Sequence, residues 1–233
     1  MGQPNPVGVL DKAVAILSAV AQEPATLADL VARTGLPRAT AHRLAVALEG
    51  HRLVRRTPEG SWAPGPALAE LNRGGTDLGE LAAHHLVALR DATGESAQFY
   101  VRDGASRVCV AAAERTSGLR DTVPVGARLP MTAGSAAHAL LAFTPADEVT
   151  RLLPSASFTA RTLLDVRRRG WAHSVAEREP GVASLSAPVR DASGAVLGAV
   201  SISGPVERLG RRPSPEIIGA VLDAAAAISR AAR

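Results

Sequence analysis

The chain has 233 residues, of which 46% are hydrophobic and only 3% aromatic, so it suits one large domain or two small ones with cores of Ala, Val and Leu. Its single cysteine, Cys109, excludes an internal disulfide and predicts a reducing cytoplasm. With a formal charge of +4, no run of roughly 18 apolar residues and no signal-peptide pattern, the chain is expected to be neither membrane-spanning nor secreted.

The positive charge is concentrated in one window of the sequence. Residues 30–56 contain six arginines and a single acidic residue, whereas residues 1–29 carry more acidic than basic side chains. A local excess of this kind is typical of a surface that binds nucleic acid.

Two helices are predicted in the first 35 residues. Residues 9–21 have apolar side chains at helical spacing, and a second helix begins after Thr26, where Asp29 completes a capping box, and ends at Gly35. The side chains of the first helix expected to face inward are Val9, Ala13, Ile16, Leu17 and Val20.

A third helix follows, with Pro37 in its first turn. Its apolar positions, which must face inward, are Ala41, Leu44, Ala45 and Leu48. The side chains left for a partner are Arg38, Ala39, Thr40, His42 and Arg43. Two helices joined by a tight turn, the second with such a polar surface, predict a helix-turn-helix whose arginines, threonine and alanine contact DNA bases.

The stretch "RLVRRTPEGSWAPG" predicts a hairpin, or wing, directly after this recognition helix. Arg55 and Arg56 would lie on the wing near phosphates, and Thr26 is expected to contact DNA from the start of the second helix. Any one of these arginines alone could be an ordinary solvated charge, but their combination predicts a winged helix-turn-helix domain over residues 1–73.

The stretch "NRGGTD" marks a domain boundary, so a second domain is predicted over residues 74–233. It opens with a helix that ends at Thr93 and Gly94. This helix could link the domains, pair with its copy in a dimer, or cover its own sheet. Alternating strands and helices then predict an α+β domain, and its strands are expected at residues 96–102, 107–114, 182–191 and 195–204.

Two features of this domain suggest a small-molecule site. The stretch "PMTAGSAAHALL" passes from extended chain into a helix, so backbone N–H groups at its start could bind an anion, unless Thr132 simply caps the helix. Small polar residues alternate with apolar ones on two later strands, which places hydroxyl groups on one sheet face, possible walls of a cavity. These residues are Ser184, Ser186, Ser201 and Ser203.

The sequence gives weaker support for three other kinds of site: a catalytic site, a metal site and a redox-active thiol. Ser135 and His138 could suggest a serine hydrolase, but they lie three residues apart without a Gly-x-Ser-x-Gly motif. His84 and His85 are adjacent and cannot share a helix face, so no metal site or cofactor is predicted. A redox sensor acting through Cys109 stays an alternative, although apolar neighbours on a strand favour burial of its thiol.

The whole chain resembles the IclR-type transcriptional regulators. The matching stretches are "LPRATAHRLAVALEGHRLV", "GARLPMTAGSAAHALLA", "RRRGWAHSVAEREPGVASLSAPV" and "GAVSISGP". The resemblance implies a winged helix-turn-helix joined by a linker helix to a GAF-like effector-binding domain. The stretch from residue 94 to 126 is most similar to a branch that controls amino-acid biosynthesis, especially that of leucine.

The resemblance also implies partners and site residues. It implies a homodimer or homotetramer that represses or activates transcription at a pseudo-palindromic site in double-stranded DNA. The implied effector is a small carboxylate or aromatic acid. Its implied contacts are Met131, Thr132, Ala133, Gly134, Ser135, Ser174, Ser184, Ser201 and Ser203. The chain departs from several family members at Ala137 and His138, where they have Gly-Lys, and at Ser174, where an acidic residue is common.

Overall fold

The computed structural model describes residues 8–72 and 77–232. The chain forms two compact units, Met1–Gly75 and Thr76–Arg233, each with its own hydrophobic core. The domain boundary predicted after residue 73 lies outside the described residues. No helix in the described ranges is long and apolar enough to cross a bilayer.

The first unit combines helices with one short antiparallel hairpin. Its elements are α1 (Gly8–Gln22), α2 (Leu27–Thr34), α3 (Arg38–Gly50), β1 (Val54–Arg56), β2 (Trp62–Pro64) and α4 (Pro66–Asn72). The three helices and the hairpin predicted from the sequence are confirmed. Helix α4 is an element that the sequence pattern did not predict.

Local hydrogen bonds set the turn between α2 and α3. Thr26 and Asp29 form the predicted capping box, because the Thr26 N–H donates to Asp29 Oδ2 at 2.9 Å and the Asp29 N–H donates to Thr26 Oγ1 at 3.3 Å. Gly35 has a φ of 67°, a left-handed conformation that lets its N–H reach the carbonyl of Val31. The angle at which α3 leaves α2 therefore follows from residues close in sequence.

The core of the first unit forms where α1, α2, α3 and the hairpin meet. Ile16, Leu30 and Ala45 are fully buried there, and the predicted inward face of α3 is confirmed. The prediction that Val9 faces this core is wrong, since its side chain is 59% exposed. The buried positions of α1 begin at Ile16, in the second half of the helix.

The second unit is built on a six-stranded sheet. Its elements are α5 (Leu78–Thr93), β3 (Ser96–Asp103), β4 (Ser106–Ala113), β5 (Arg128–Pro130), α6 (Ser135–Leu141), α7 (Ala146–Leu152), a 3₁₀ turn (Leu153–Ser155), α8 (Ala160–Arg169), β6 (Ala172–Val175), β7 (Val182–Arg190), β8 (Val196–Pro205), α9 (Val206–Leu209) and α10 (Pro215–Ala231). The strand order is β5-β4-β3-β8-β7-β6, and all neighbours are antiparallel. The predicted α+β class is confirmed.

Helices cover both faces of this sheet. Leu86 of α5 and Ile228 of α10 pack against one face, so α5 does cover its own sheet, as one of the three alternatives proposed. Leu140 of α6 and Val166 of α8 belong to the cluster on the other face. Side chains alternate along a strand, so Val200 of β8 faces α5 on one side of the sheet, and the adjacent Ala199 faces α6 on the other.

Candidate DNA-binding surface and small-molecule site

The exposed side of α3 carries the residues predicted to contact DNA. Arg38, Ala39, His42 and Arg43 are exposed, and Thr40 is half-buried. Within the described ranges, Arg38 and Arg43 form no ion pair or hydrogen bond with another residue. Their guanidinium groups are therefore free to bind phosphates or base edges.

A groove beside α3 adds a further cation to this surface. It has a volume of about 410 Å³ and is lined by Val9, Lys12, Thr40, Arg43 and Leu44. Lys12 lies on α1, and no motif in the sequence indicates that it binds DNA. Only the packing of α1 against α3 brings this ammonium group to the same groove as Arg43.

The two arginines of the wing differ in their surroundings. The guanidinium of Arg56 lies 3.5 Å from the ring centroid of Trp62 and donates to the carbonyl of Gly60 at 2.7 Å. It also lies 3.7 Å from a carboxylate oxygen of Glu49. Arg55 is exposed and has no such partner in the described part of the chain. Arg56 therefore stabilises the wing, and Arg55 is the better placed of the two to meet a phosphate.

Thr26 is placed as the cap of α2. Its hydroxyl donates to Asp29 Oδ2 at 2.7 Å, and it also accepts the N–H of Asp29. Both hydrogen-bonding functions of the hydroxyl are thus used inside the protein, although the side chain is exposed. A contact between Thr26 and DNA stays a prediction.

Serine hydroxyls in the second unit form a connected cluster on the sheet face towards α6. Ser174 Oγ lies 2.9 Å from Ser184 Oγ, and Ser186 donates to Ser201 at 2.8 Å. Ser135 Oγ, at the start of α6, lies 2.7 Å from both Ser184 Oγ and Ser186 Oγ. Because β6, β7 and β8 are paired in register, residues from distant parts of the sequence meet here. We call these five residues the serine cluster.

Ser186 is the member of the cluster that the predicted set of effector contacts omitted. It is fully buried and links Ser135 to Ser201. The predicted contact Ser203 lies outside the cluster, since its hydroxyl donates instead to the side-chain oxygen of Gln98 at 3.2 Å. The alternation of serines along β7 had already placed Ser186 among the possible cavity walls, on the same sheet face as Ser184.

Two backbone N–H groups at the start of α6 already have hydrogen-bond acceptors within the protein. The Gly134 N–H donates to Glu177 Oε2 at 2.9 Å, and the Ser135 N–H donates to Ser174 Oγ at 3.0 Å. The expectation that Thr132 caps this helix is wrong. Gly134 is the N-cap, with a φ of 93° and no side-chain cap. The other predicted contacts lie just before it, with Met131 buried and Ala133, like Thr132, half-buried.

Glu177 belongs to this site although no sequence pattern indicates it. Besides accepting from Gly134, its Oε2 lies 2.9 Å from Nε2 of the fully buried His138. The glutamate lies between β6 and β7, 39 residues after the histidine, so no local pattern predicts the contact. Ser135, the nucleophile considered for a hydrolase, is hydrogen-bonded to serines, while His138 contacts Glu177.

The thiol of Cys109 is fully buried, as its apolar neighbours predicted. Its sulfur lies 3.4 Å from the carbonyl oxygen of Ala111, and burial raises the pKa of the thiol to about 11. A buried thiol that stays protonated near neutral pH reacts slowly, so these surroundings disfavour the redox alternative.

The fold and the exposed arginines define a class of protein. A helix-turn-helix with a basic wing, followed by an α+β unit, is the arrangement of a DNA-binding regulator with a separate second domain. The family model "IclR helix-turn-helix domain" matches residues 9–58, and "Bacterial transcriptional regulator IclR C-terminal" matches residues 73–230. The chain belongs to the IclR family of transcriptional regulators, as the sequence resemblance predicted.

Similar proteins have regulatory names. The glycerol operon regulatory protein of Streptomyces griseus is 33% identical, covering 95% of this chain and 94% of that protein. The transcriptional repressor IclR of Escherichia coli K12 is 29% identical, covering 78% of this chain and 74% of that protein. An IclR homolog from Microbacterium hydrocarbonoxydans, solved in complex with 4-hydroxybenzoate, has a TM-score of 0.78 at 22% identity, covering 97% and 99% of the two chains.

These matches establish the function at the level of the family. The chain is a DNA-binding transcriptional regulator with a C-terminal effector domain, and it is not an enzyme. The hydrolase hypothesis is therefore rejected.

Proposed function

We propose that α3 and the wing bind a specific promoter sequence and that a small metabolite in the second unit modulates this binding. The observation that carries the first part is the exposed side of α3, where Arg38 and Arg43 have no ion-pair or hydrogen-bond partner among residues 8–72 and 77–232. An arginine can donate two hydrogen bonds to a guanine, and the neighbouring Ala39 can contact a thymine methyl group.

The regulator acts as a homodimer or homotetramer on a pseudo-palindromic site, in the cytoplasm where its DNA lies. Helix-turn-helix proteins place two recognition helices in successive major grooves, about 34 Å apart along one face of the duplex. A single chain supplies one such helix, so a second copy is needed to cover both half-sites.

Two sets of target genes are candidates. Residues 94–126 resemble the branch that controls leucine biosynthesis, which supports an amino-acid biosynthetic promoter. The 33% identity to a glycerol operon regulatory protein supports, as a second candidate, a promoter of genes for glycerol use. The serine cluster, which could donate to and accept from hydroxyl groups of a ligand, fits a hydroxylated metabolite in either case.

Sequencing of the genomic DNA retained by the purified protein tests the proposal and separates the two target sets. We expect enrichment of a few promoters that share an inverted repeat, and the genes beside them identify the pathway. Equal retention of random fragments at physiological salt would contradict specific recognition, because charge alone supports only sequence-independent binding.

Replacing Ser201 by leucine is expected to abolish the response to the effector while leaving DNA affinity unchanged. The residue is buried in the serine cluster, and leucine removes its hydroxyl and fills space beside Ser186. The measurement is the DNA affinity of both proteins with and without leucine, glycerol and 4-hydroxybenzoate. Ser193→Leu, in an exposed turn of the same unit, is the matched control. An unchanged response in Ser201→Leu and in Ser203→Leu would move the effector site elsewhere.

A further inference from the structure

Arg107 is a buried arginine beside the start of α6. It lies on β4 and is only 3% exposed. Its guanidinium carbon lies 5.4 Å from the ring centroid of Tyr100. A Cβ atom added to Gly134 would lie 3.1 Å from Arg107 Nη2, so this cation directly adjoins the N-cap of the helix.

The partners of Arg107 inside the protein are incomplete. Its Nη1 donates to the carbonyl of Pro130, while Nε is buried and has no hydrogen-bond partner among the described residues. In the described part of the chain no aspartate or glutamate forms an ion pair with it. A guanidinium has five N–H donors, and burying a charge without a partner costs free energy. A buried arginine with unused donors therefore indicates that a further partner binds there. Burial lowers its pKa to about 10, which leaves it charged at neutral pH.

The nearby carboxylates already have other partners. Asp121 pairs with Arg178, and Glu177 contacts His138 and the Gly134 N–H. Glu177 attracts Arg107 and Arg178 repels it, but neither contacts it directly. Among the residues that the structure describes, none therefore supplies an anion in contact with the Arg107 guanidinium.

A surface cavity lies beside Asp121, the residue that pairs with Arg178. The cavity measures about 380 Å³, and Asp121, one of its lining residues, is buried. Tyr100 is close enough to Asp121, Arg178 and Arg107 for all three to affect its pKa, which burial raises. Asp121 therefore belongs both to the wall of this cavity and to the charged groups near the Tyr100 ring, which the Arg107 guanidinium adjoins.

We propose that Arg107 is the anion-binding residue of the effector site and that it selects a small carboxylate with hydroxyl groups. This inference rests on the proposed function, in which the second unit binds a metabolite. The N–H groups at the start of α6, predicted from the sequence to bind the anion, are occupied by Glu177 and Ser174. The carboxylate pairs with the free N–H groups of Arg107, and the hydroxyl groups of the ligand face the serine cluster.

The test compares each carboxylate with its uncharged amide. The probes are glycerate and glyceramide, and 4-hydroxybenzoate and 4-hydroxybenzamide, with dissociation constants measured by isothermal titration. We expect at least one carboxylate to bind the full-length protein. The affinity of its amide should be lower by a factor of at least about 30, as expected for the loss of a buried charge pair. This comparison needs no variant.

Variants then assign the effect to Arg107. Arg107→Gln is expected to lower the affinity for the carboxylate by about the same factor and to change the affinity for the amide little. Arg107→Lys should retain part of the preference for the carboxylate over the amide. Arg128→Gln, which removes an exposed arginine of β5, is the control and should leave both affinities unchanged. Circular dichroism confirms that each variant is folded.

Three outcomes overturn the inference: equal binding of acid and amide, unchanged acid binding by Arg107→Gln, or no binding of either acid. Gel retardation of promoter DNA by the same protein preparations, with and without each compound, shows whether the role of Arg107 or the proposed function has failed. If a neutral compound binds and alters DNA affinity, the proposed function stands and only the role of Arg107 fails. If no compound alters DNA affinity, the effector role fails as well.

Discussion

Arg43→Ala is expected to weaken binding to the promoter site by roughly 1–3 kcal/mol, or about 5- to 150-fold. The reason is that Arg43 is exposed on the recognition helix and has no partner in the described part of the chain, so its guanidinium can donate to a base edge. Because the side chain is outside the core, the free energy of unfolding should barely change. Fluorescence anisotropy with the selected promoter and with a scrambled duplex measures both affinities.

The loss should be confined to the specific site. Arg151→Ala removes an exposed arginine of α7 in the second unit and should bind both duplexes as the unchanged protein does. If Arg43→Ala instead reduced the two affinities by the same factor, Arg43 would be a phosphate contact that positions the helix without identifying bases.

Trp62→Ala is expected to lower the free energy of unfolding of the first unit by about 3–5 kcal/mol. Trp62 is 1% exposed, its ring contacts the edge of His42, and the guanidinium of Arg56 lies over it. Removal leaves a cavity between the wing and the recognition helix. Since whole domains are stabilised by only about 5–15 kcal/mol, DNA binding should be lost near physiological temperature.

Two further variants make this prediction specific. The Nε1 group of Trp62 is buried and has no hydrogen-bond partner within residues 8–72 and 77–232. Trp62→Phe therefore removes no hydrogen bond seen in the structure and should cost well under half as much free energy of unfolding. Trp171→Ala, in the second unit, replaces a half-buried tryptophan and should leave the unfolding of the first unit unchanged. Thermal and urea unfolding followed by circular dichroism provides the comparison. A loss below about 1 kcal/mol for Trp62→Ala would contradict the assigned packing.

Local patterns were sufficient for most of the first unit. The Thr26–Asp29 capping box, the left-handed Gly35 and the inward face of α3 each depend on residues within about two helical turns of each other. Such features follow from backbone geometry and side-chain spacing, which are visible in the sequence. The exposure of Val9 was not predictable in this way, because it depends on which turns of α1 the other helices cover.

Alternation along single strands revealed half of the candidate effector site. It placed Ser184 and Ser186 on one side of β7, because neighbouring side chains of a strand point to opposite faces. It could not show that Ser135 bonds to both of them, nor that Glu177 reaches His138. Those contacts join segments that only strand pairing and helix packing bring together.

The first three helices, the wing and the basic recognition surface were thus predictable from the amino-acid pattern alone, since each depends on spacing, capping or composition within short segments. The family followed from the resemblance of longer stretches of sequence. Folding in three dimensions was needed to fill the start of α6 with Glu177, to bring Lys12 beside Arg43 and to bury Arg107 without a carboxylate. The pairing of a charge depends on every group that surrounds it, and those groups come from strands and loops far apart in the chain.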